Sequence, residues 1–295
     1  MIRTSLLLTS LILLRLSLFS QRVIEVSYAQ DSHGNMVFSC TNRAFCTYVV
    51  RVGFTTFENA KADHALPYEE EVKPGINKLF TVGQIKTSDD IQIKYTASYQ
   101  KGCLHPTPHP DFTYLLPIGP GKETQAYEIN KTFVAGQDSG FAIRLKMKQG
   151  DTIYSARRGT VTAVNTNSAE NDAGATATDS WNYIEIVHED CSFGLYGVLK
   201  KEGAFVHPGQ MVEAGMPVGL VGGDKFSRGS DVRFSVGFYQ GPRSIPLPLQ
   251  FWTKRNGKGP LKHGGTYISE HPRAIVTQEL PKAPVKKLAA KKKGA

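Results

Sequence analysis

The sequence has no apolar run long enough to cross a membrane. Its N-terminal apolar run, Leu6–Leu14, is far shorter than the roughly 20 residues that a membrane-spanning helix needs. The run follows the basic start Met-Ile-Arg, which is typical of a secretory signal peptide. No cysteine follows the run, so a lipid-anchored lipoprotein is not expected. We expect residues 1–20 to be a signal peptide, cleaved after Ser20 or after Ala29, and the mature protein to be periplasmic or extracellular.

Excess charge is scarce outside one short segment. The formal net charge is +9, but the tail Pro281–Ala295 contributes +6 and contains no acidic residue. Arg3 and Arg15 of the signal peptide contribute +2, which leaves about +1 for the rest of the chain. We expect residues 276–295 to be a disordered, solvated tail. The tail lacks the interleaved aromatic residues that base stacking uses, so no nucleic-acid partner is expected.

Cysteine is sparse, with four residues in the whole chain. Cys40 and Cys46 flank Thr41–Phe45, which has the pattern of a hairpin tip, and export to an oxidising compartment predicts a disulfide between them. Metal binding by this pair lacks the usual spacing and other ligands. Cys103 and Cys191 either pair with each other or remain free, and the sequence leaves both alternatives open.

Residues 21–112 are predicted to form a first, all-β unit. Short apolar–polar alternations bounded by turn residues indicate strands, and the clearest alternation runs from Ile91 to Tyr99. Strands of this length and spacing are typical of a small immunoglobulin-like β-sandwich. The proline-rich stretch His105–Pro110 then predicts a semi-rigid linker, because proline disfavours both helix and central strand.

Residues 113–275 are predicted to form a second, antiparallel β unit. Four motifs occur in order: Ala142-Ile143-Arg144-Leu145, Gly159-Thr160-Val161, Asn182 through Asp190, and Gly229-Ser230-Asp231-Val232-Arg233-Phe234. In the last motif the alternation places Asp231, Arg233 and Ser235 on one face of a strand and Val232, Phe234 and Val236 on the other. Later short strands, in residues 244–268, are counted with this unit.

These motifs, in this order, resemble the LytM/lysostaphin-type zinc endopeptidases, which cut peptidoglycan cross-bridges. The resemblance implies an antiparallel LytM-like β-core that binds zinc through a His, an Asp and the second His of a His-x-His strand. The first His of that strand and a further His, in a Tyr-x-His-Leu motif, assist the attacking water in that family. The corresponding positions in this sequence are Gln137 (or Gly140 with a shorter spacing), Arg144, Asp231, Arg233 and, for the Tyr-x-His-Leu motif, Val198.

The residues at these positions do not suit a zinc site. A zinc ligand needs a lone pair on nitrogen, sulfur or oxygen, and a guanidinium is permanently charged and has none to offer. Because Arg144 and Arg233 occupy two of the three ligand positions, we expect a degenerate, catalytically inactive member with no bound metal and no cofactor. Alternation also predicts that Asp231 lies within salt-bridge reach of Arg144 or Arg233.

The sequence therefore favours a secreted, non-catalytic binding or regulatory module whose partner is peptidoglycan, a cell-wall hydrolase that it activates, or another envelope protein. One alternative is an active zinc peptidase with displaced ligands, drawn from His188, His207, Asp138 and Asp231. A second alternative is a purely structural envelope component that is recruited through the N-terminal unit.

Overall fold

The computed structural model describes residues 22–129, 142–167, 182–223 and 230–277. The predicted signal peptide, nearly all of the lysine tail, Gln137, Asp138 and Gly140 lie outside these ranges. The described chain is built of strands, all of them paired antiparallel except β8 with β20, and of one short helix, α1 (Arg273–Val276), which confirms the predicted all-β class. None of its helical segments has the length and apolar character to span a bilayer.

The N-terminal unit consists of two sheets that enclose one apolar core. The first has the order β1-β2-β6-β4, made of Ile24–Gln30, Met36–Asn42, Gly75–Gln84 and Ala60–Ala62. The second has the order β5-β3-β7, made of Tyr68–Val72, Tyr48–Glu58 and Gln92–Lys101. Strict alternation in β2 buries Phe38, whose ring stacks on Phe80 with centroids 4.6 Å apart. Aromatic packing of this kind holds the two sheets together.

The immunoglobulin-like topology predicted for this unit is not confirmed. The third strand of a constant-type immunoglobulin domain ends its three-stranded sheet, whereas β3 here is central and pairs with both β5 and β7. Strands β4 and β5 were not predicted. The weak alternation of Tyr68–Val72, which carries three successive glutamates, explains why a pattern search misses β5.

The second unit is organised around one large sheet. Its order is β16-β12-β13-β14-β18-β10-β9-β22, and β19 pairs with β18. In that order the strands are Met211–Val212, Gly159–Asn165, Tyr183–Val187, Phe193–Gly197, Asp231–Gln240, Ala142–Lys146, Glu123–Ile129 and Thr266–Ile268, with β19 at Arg243–Pro246. The pairing of β22 with β9, and of β19 with β18, shows that strands near the C-terminus complete this sheet.

Two smaller sheets complete the second unit. One has the order β11-β17-β15 and consists of Thr152–Tyr154, Pro217–Val221 and Leu199–Ala204. The other has the order β21-β20-β8 and consists of Gly257–Gly259, Gln250–Thr253 and Thr113–Leu115. The core of the unit includes Val232, Phe234 and Val236, so the apolar face predicted for β18 is confirmed. The opposite face of β18 is also largely buried, and this face positions the candidate site.

The predicted Cys40–Cys46 disulfide is wrong. Both residues are buried free thiols, and the disulfide joins Cys103 to Cys191. The physical reason is that β2 and β3 lie in different sheets, so residues 43–47 cross between sheets and are not a hairpin tip. Cys40 points into the sandwich core, whereas Cys46 lines a cavity between the two units.

The N-terminal unit docks on the second unit through covalent and polar contacts. The Cys103–Cys191 disulfide joins the end of β7 to the turn between β13 and β14. Lys101 forms an ion pair with Glu185, and the Gln100 side-chain amide donates to the backbone carbonyl of Gly241. The alternation of apolar and polar residues along the sequence cannot by itself reveal such contacts, because they join residues more than 80 positions apart.

Candidate binding site on the central sheet

The candidate site lies where β10 and β18 pair in the large sheet. Their register places Arg144 directly opposite Arg233, and Lys146 opposite Asp231. Since alternate residues of a strand share a face, all four side chains emerge from the same side of the sheet. The other side of these strands carries Leu145 and its neighbours into the apolar core. Strand pairing thus brings together three cations and one carboxylate, which are far apart in the sequence.

Asp231 lies between the two guanidinium groups. Its carboxylate oxygens are 3.4 Å from Arg233 Nε and 3.7 Å from Arg144 Nε, which confirms the predicted ion pair. The side chains of Asp231 and Arg233 are 4% and 9% exposed, whereas Arg144 is 23% exposed. Asp231 and Arg233 are therefore a buried pair, and among these three ion-paired residues it is Arg144 that solvent reaches.

Arg144 is also held from its other neighbouring strand. Tyr127 of β9 lies directly opposite Arg144, and the guanidinium carbon is 4.6 Å from the centroid of its ring. Such cation–π contacts attract a guanidinium without neutralising it. Together Arg144, Lys146, Arg233 and Asp231 carry a formal net charge of about +2, because three of these residues are cations and one is a carboxylate. The arrangement suits a negatively charged ligand.

The metal implied by the fold does not fit these residues. At the two predicted ligand positions on β10 and β18 the structure places guanidinium groups, which cannot coordinate a cation. Across the four described ranges no cluster of three or more His, Cys, Asp or Glu side chains is arranged to hold a metal ion. Gln137, the predicted first ligand position, lies outside those ranges.

Val198, which occupies the position of the family's Tyr-x-His-Leu histidine, has an unusual backbone. Its φ is +68°, a left-handed conformation that a β-branched residue rarely adopts. The Val198 carbonyl accepts a hydrogen bond from Gly222 N at 2.9 Å, and the residue is buried. Burial and this hydrogen bond thus stabilise the strained backbone between β14 and β15. The Val198 side chain offers no polar group to the site.

The displaced-ligand residues do not converge. His188 is buried, and its Nδ1 lies 2.8 Å from the Arg158 carbonyl. His207 is exposed in a turn, with Nδ1 near the Pro208 carbonyl. Asp231 is occupied by the two arginines described above, and Asp138 lies outside the described residues. The described part of the chain therefore gives no support to the alternative of an active peptidase with displaced ligands.

Sequence reasoning missed a buried polar cluster next to His188. Arg157 donates to Asp190 Oδ2 at 2.9 Å, and Ser192 Oγ donates to Asp190 Oδ1 at 2.6 Å. The ring of Phe112 lies 3.9 Å from the guanidinium carbon of Arg157. Burial, and then the charge of Arg157, lower the pKa of His188 to about 3, so this imidazole is neutral at physiological pH. The cluster fixes the turn between β13 and β14.

Sequence reasoning also missed that the N-terminal unit covers one end of the polar face of the large sheet. Glu185 and Phe193 belong to the same side of the sheet as Arg233, and Lys101 of the N-terminal unit sits on both. Charge pairing with Glu185 keeps Lys101 protonated by raising its pKa, although burial acts in the opposite direction. The available sequence signal was the pair Cys103 and Cys191, whose disulfide joins the two units close to Lys101.

Comparison with known proteins agrees with this fold. Residues 139–244, about a third of the chain, match the sequence model of peptidase family M23. Similar solved structures include a variant of the catalytic domain of the prophage-encoded M23 protein EnpA from Enterococcus faecalis, with 21% identity, a TM-score of 0.33, and coverage of 46% of this chain and 93% of that chain.

Two further structures show the range of the similarity. The catalytic domain of lysostaphin from Staphylococcus simulans has 15% identity and a TM-score of 0.29, and the match covers 46% of this chain and 88% of that chain. Csd3 from Helicobacter pylori has 14% identity and a TM-score of 0.32, and the match covers 80% of this chain and 77% of that chain. No curated protein matches the sequence.

Proposed function

Since residues 139–244 form a domain of peptidase family M23, we propose that this domain is a non-catalytic binding module of the cell envelope. The observation that carries the proposal is the ion-paired set Arg144–Asp231–Arg233, in which the two arginines stand where the family has zinc ligands. A guanidinium neither holds a metal nor activates water. The carboxylate of Asp231 satisfies the buried Arg233, and this allows the sheet to fold without a metal.

The ligand that suits this site is a carboxylate-bearing peptide, such as a peptidoglycan stem. Arg144 is partly exposed, and its distance of 3.7 Å from Asp231 is longer than an optimal charge-assisted hydrogen bond. Tyr127 orients its guanidinium plane, and Lys146 adds a second accessible cation on the same face. An incoming carboxylate would meet both cations at the open end of the face, away from the part that Lys101 covers.

The first experiment measures zinc content and peptidoglycan hydrolysis of the purified mature chain. We expect substoichiometric zinc and no release of fragments from purified peptidoglycan. One tightly bound zinc per chain, together with hydrolysis that a chelator abolishes, would overturn the proposal in favour of an active peptidase.

The second experiment measures binding to purified peptidoglycan and to a stem peptide with a free or an amidated C-terminus. Arg144→Gln should weaken binding by about tenfold, the usual effect of losing one charge-assisted hydrogen bond. Lys200→Gln, an exposed lysine of β15 in a different sheet, is the matched control and should leave binding unchanged. Equal binding of Arg144→Gln and wild type would show that the ligand lies elsewhere.

A more specific form of this proposal is that the domain binds and regulates a cell-wall hydrolase. Binding to a hydrolase in place of peptidoglycan would use the same exposed cations toward an acidic surface. Co-sedimentation with peptidoglycan in the absence of any other protein separates the two, because a module that acts only on a hydrolase would stay in the supernatant.

A further inference from the structure

Three of the four cysteines surround one cavity between the two units. The cavity has a volume of about 660 Å³, and Cys46, Cys103 and Cys191 all line it. Cys103 and Cys191 form the disulfide between the units, and Cys46 is a buried free thiol beside them. Cys40, the fourth cysteine, belongs instead to the core of the N-terminal unit.

Cys46 and Cys103 lie just beyond the end of the ladder between β3 and β7. Tyr48 pairs with Lys101, and the pairing extends one residue further, because Gly102 N donates to the Thr47 carbonyl at 3.0 Å. Cys46 and Cys103 are the next residues outward on the two segments. A disulfide accepts Cα separations of about 4.4–6.8 Å, so joining this pair requires Cys46 and Cys103 to come within that range one step beyond the hydrogen-bonded Thr47–Gly102 pair.

We propose that Cys46 is a second disulfide partner for Cys103, and that the disulfide moves between two positions. The Cys46 thiolate attacks Cys103 Sγ, the Cys46–Cys103 bond forms, and the Cys103–Cys191 bond breaks. Cys191 leaves as a thiolate and takes up the proton that Cys46 gave to solvent. One disulfide is exchanged for another, so the step consumes no external oxidant or reductant.

The exchange would convert a link between the units into a link within the N-terminal unit. What then holds the units together is noncovalent, chiefly the Lys101–Glu185 ion pair and the bond from Gln100 to Gly241. The two closed loops differ in length by less than twofold, so chain entropy favours neither disulfide by more than about twofold. The balance is therefore set by how well the units pack over Glu185 and Phe193.

Burial controls the rate of this step. Desolvation raises the pKa of the Cys46 thiol to about 11, and the charges of Lys101 and Glu185 act on it in opposite directions. Tyr48 and Tyr239 also interact electrostatically with this thiol. Other charged residues on the cavity wall are Lys73, Arg157, Arg158, Glu189 and Glu213. Because the thiolate is the nucleophile, exchange should be slow at neutral pH and faster in alkali.

The test is disulfide mapping of the full mature chain. The protein is incubated at pH 7, 8 and 9 without added thiol or oxidant, quenched in acid, alkylated and digested without reduction. We expect a Cys46–Cys103 peptide pair with alkylated Cys191, formed about tenfold faster for each pH unit. A chain that retains Cys103–Cys191 and alkylated Cys46 at every pH overturns the proposal. Pairs that include Cys40 would indicate scrambling through unfolding, and these also count against it.

Two variants supply matched controls. Cys40→Ser should form the Cys46–Cys103 product at the wild-type rate, since Cys40 is remote from the cavity. Cys191→Ser, given oxidised glutathione, should close Cys46–Cys103 directly. A Cys191→Ser chain that folds yet keeps Cys46 free, or carries it only as a mixed disulfide with glutathione, would show that the two residues do not reach each other.

Discussion

Removing the carboxylate of Asp231 should lower the free energy of unfolding of the second unit more than removing the side chain of either arginine. Asp231→Ala removes the carboxylate that lies between the Arg144 and Arg233 guanidinium groups. Breaking one side of a buried ion pair costs about 3–5 kcal/mol. The low end applies, about 3 kcal/mol, because Arg144 is 23% exposed and both ion-pair distances exceed 3 Å. Arg233→Ala should cost less, because Arg144 still neutralises Asp231.

The assay is urea unfolding followed by tryptophan fluorescence. Both tryptophans of the chain, Trp181 and Trp252, belong to the predicted second unit, so the signal reports on the unfolding of that unit. The control is Arg158→Ala, which removes an ion pair with Glu213 whose side chains are both 60% exposed and should cost less than about 1 kcal/mol. A loss below about 1 kcal/mol for Asp231→Ala would refute the claim that a buried ion pair stabilises the site.

Three further outcomes are expected. Stability should fall by up to about 1.4 kcal/mol per pH unit between pH 6 and 4.5, because the unfolded chain protonates His188 near pH 6.5 whereas its folded pKa is about 3; His188→Gln should flatten a melting-temperature profile, and His207→Gln should not. Glu185→Gln should increase hydrogen exchange at Lys101 and its neighbours, since it removes the partner of a buried lysine; unchanged exchange there would mean that the ion pair does not hold the units. Restoring the family residues in one quadruple variant (Gln137→His, Arg144→Asp, Asp231→His, Arg233→His) should recover stoichiometric zinc binding. A folded variant that binds no zinc would show that the backbone of the site differs from that of the family.

The sequence determined the features that depend on residues close together in the chain. Period-two alternation in Asp231–Val236 predicted both faces of β18, and the structure confirms the apolar one in the core. Motif order predicted the similarity of residues 139–244 to peptidase family M23, and the chemistry of arginine predicted that two ligand positions cannot hold a metal. The contact between Asp231 and the arginines also followed from alternation once the resemblance had placed β10 beside β18.

Only the tertiary structure decided which distant residues meet. Cys40 and Cys46 are close in sequence, yet β2 and β3 belong to different sheets, and this directs one thiol into the core and the other into the cavity between the units. The disulfide instead joins residues 88 positions apart in the sequence, and the ion pair between Lys101 and Glu185 has a similar sequence separation. Local patterning carries information on which face a side chain occupies, but the partner on that face depends on how the sheets pack, and no short-range rule encodes it.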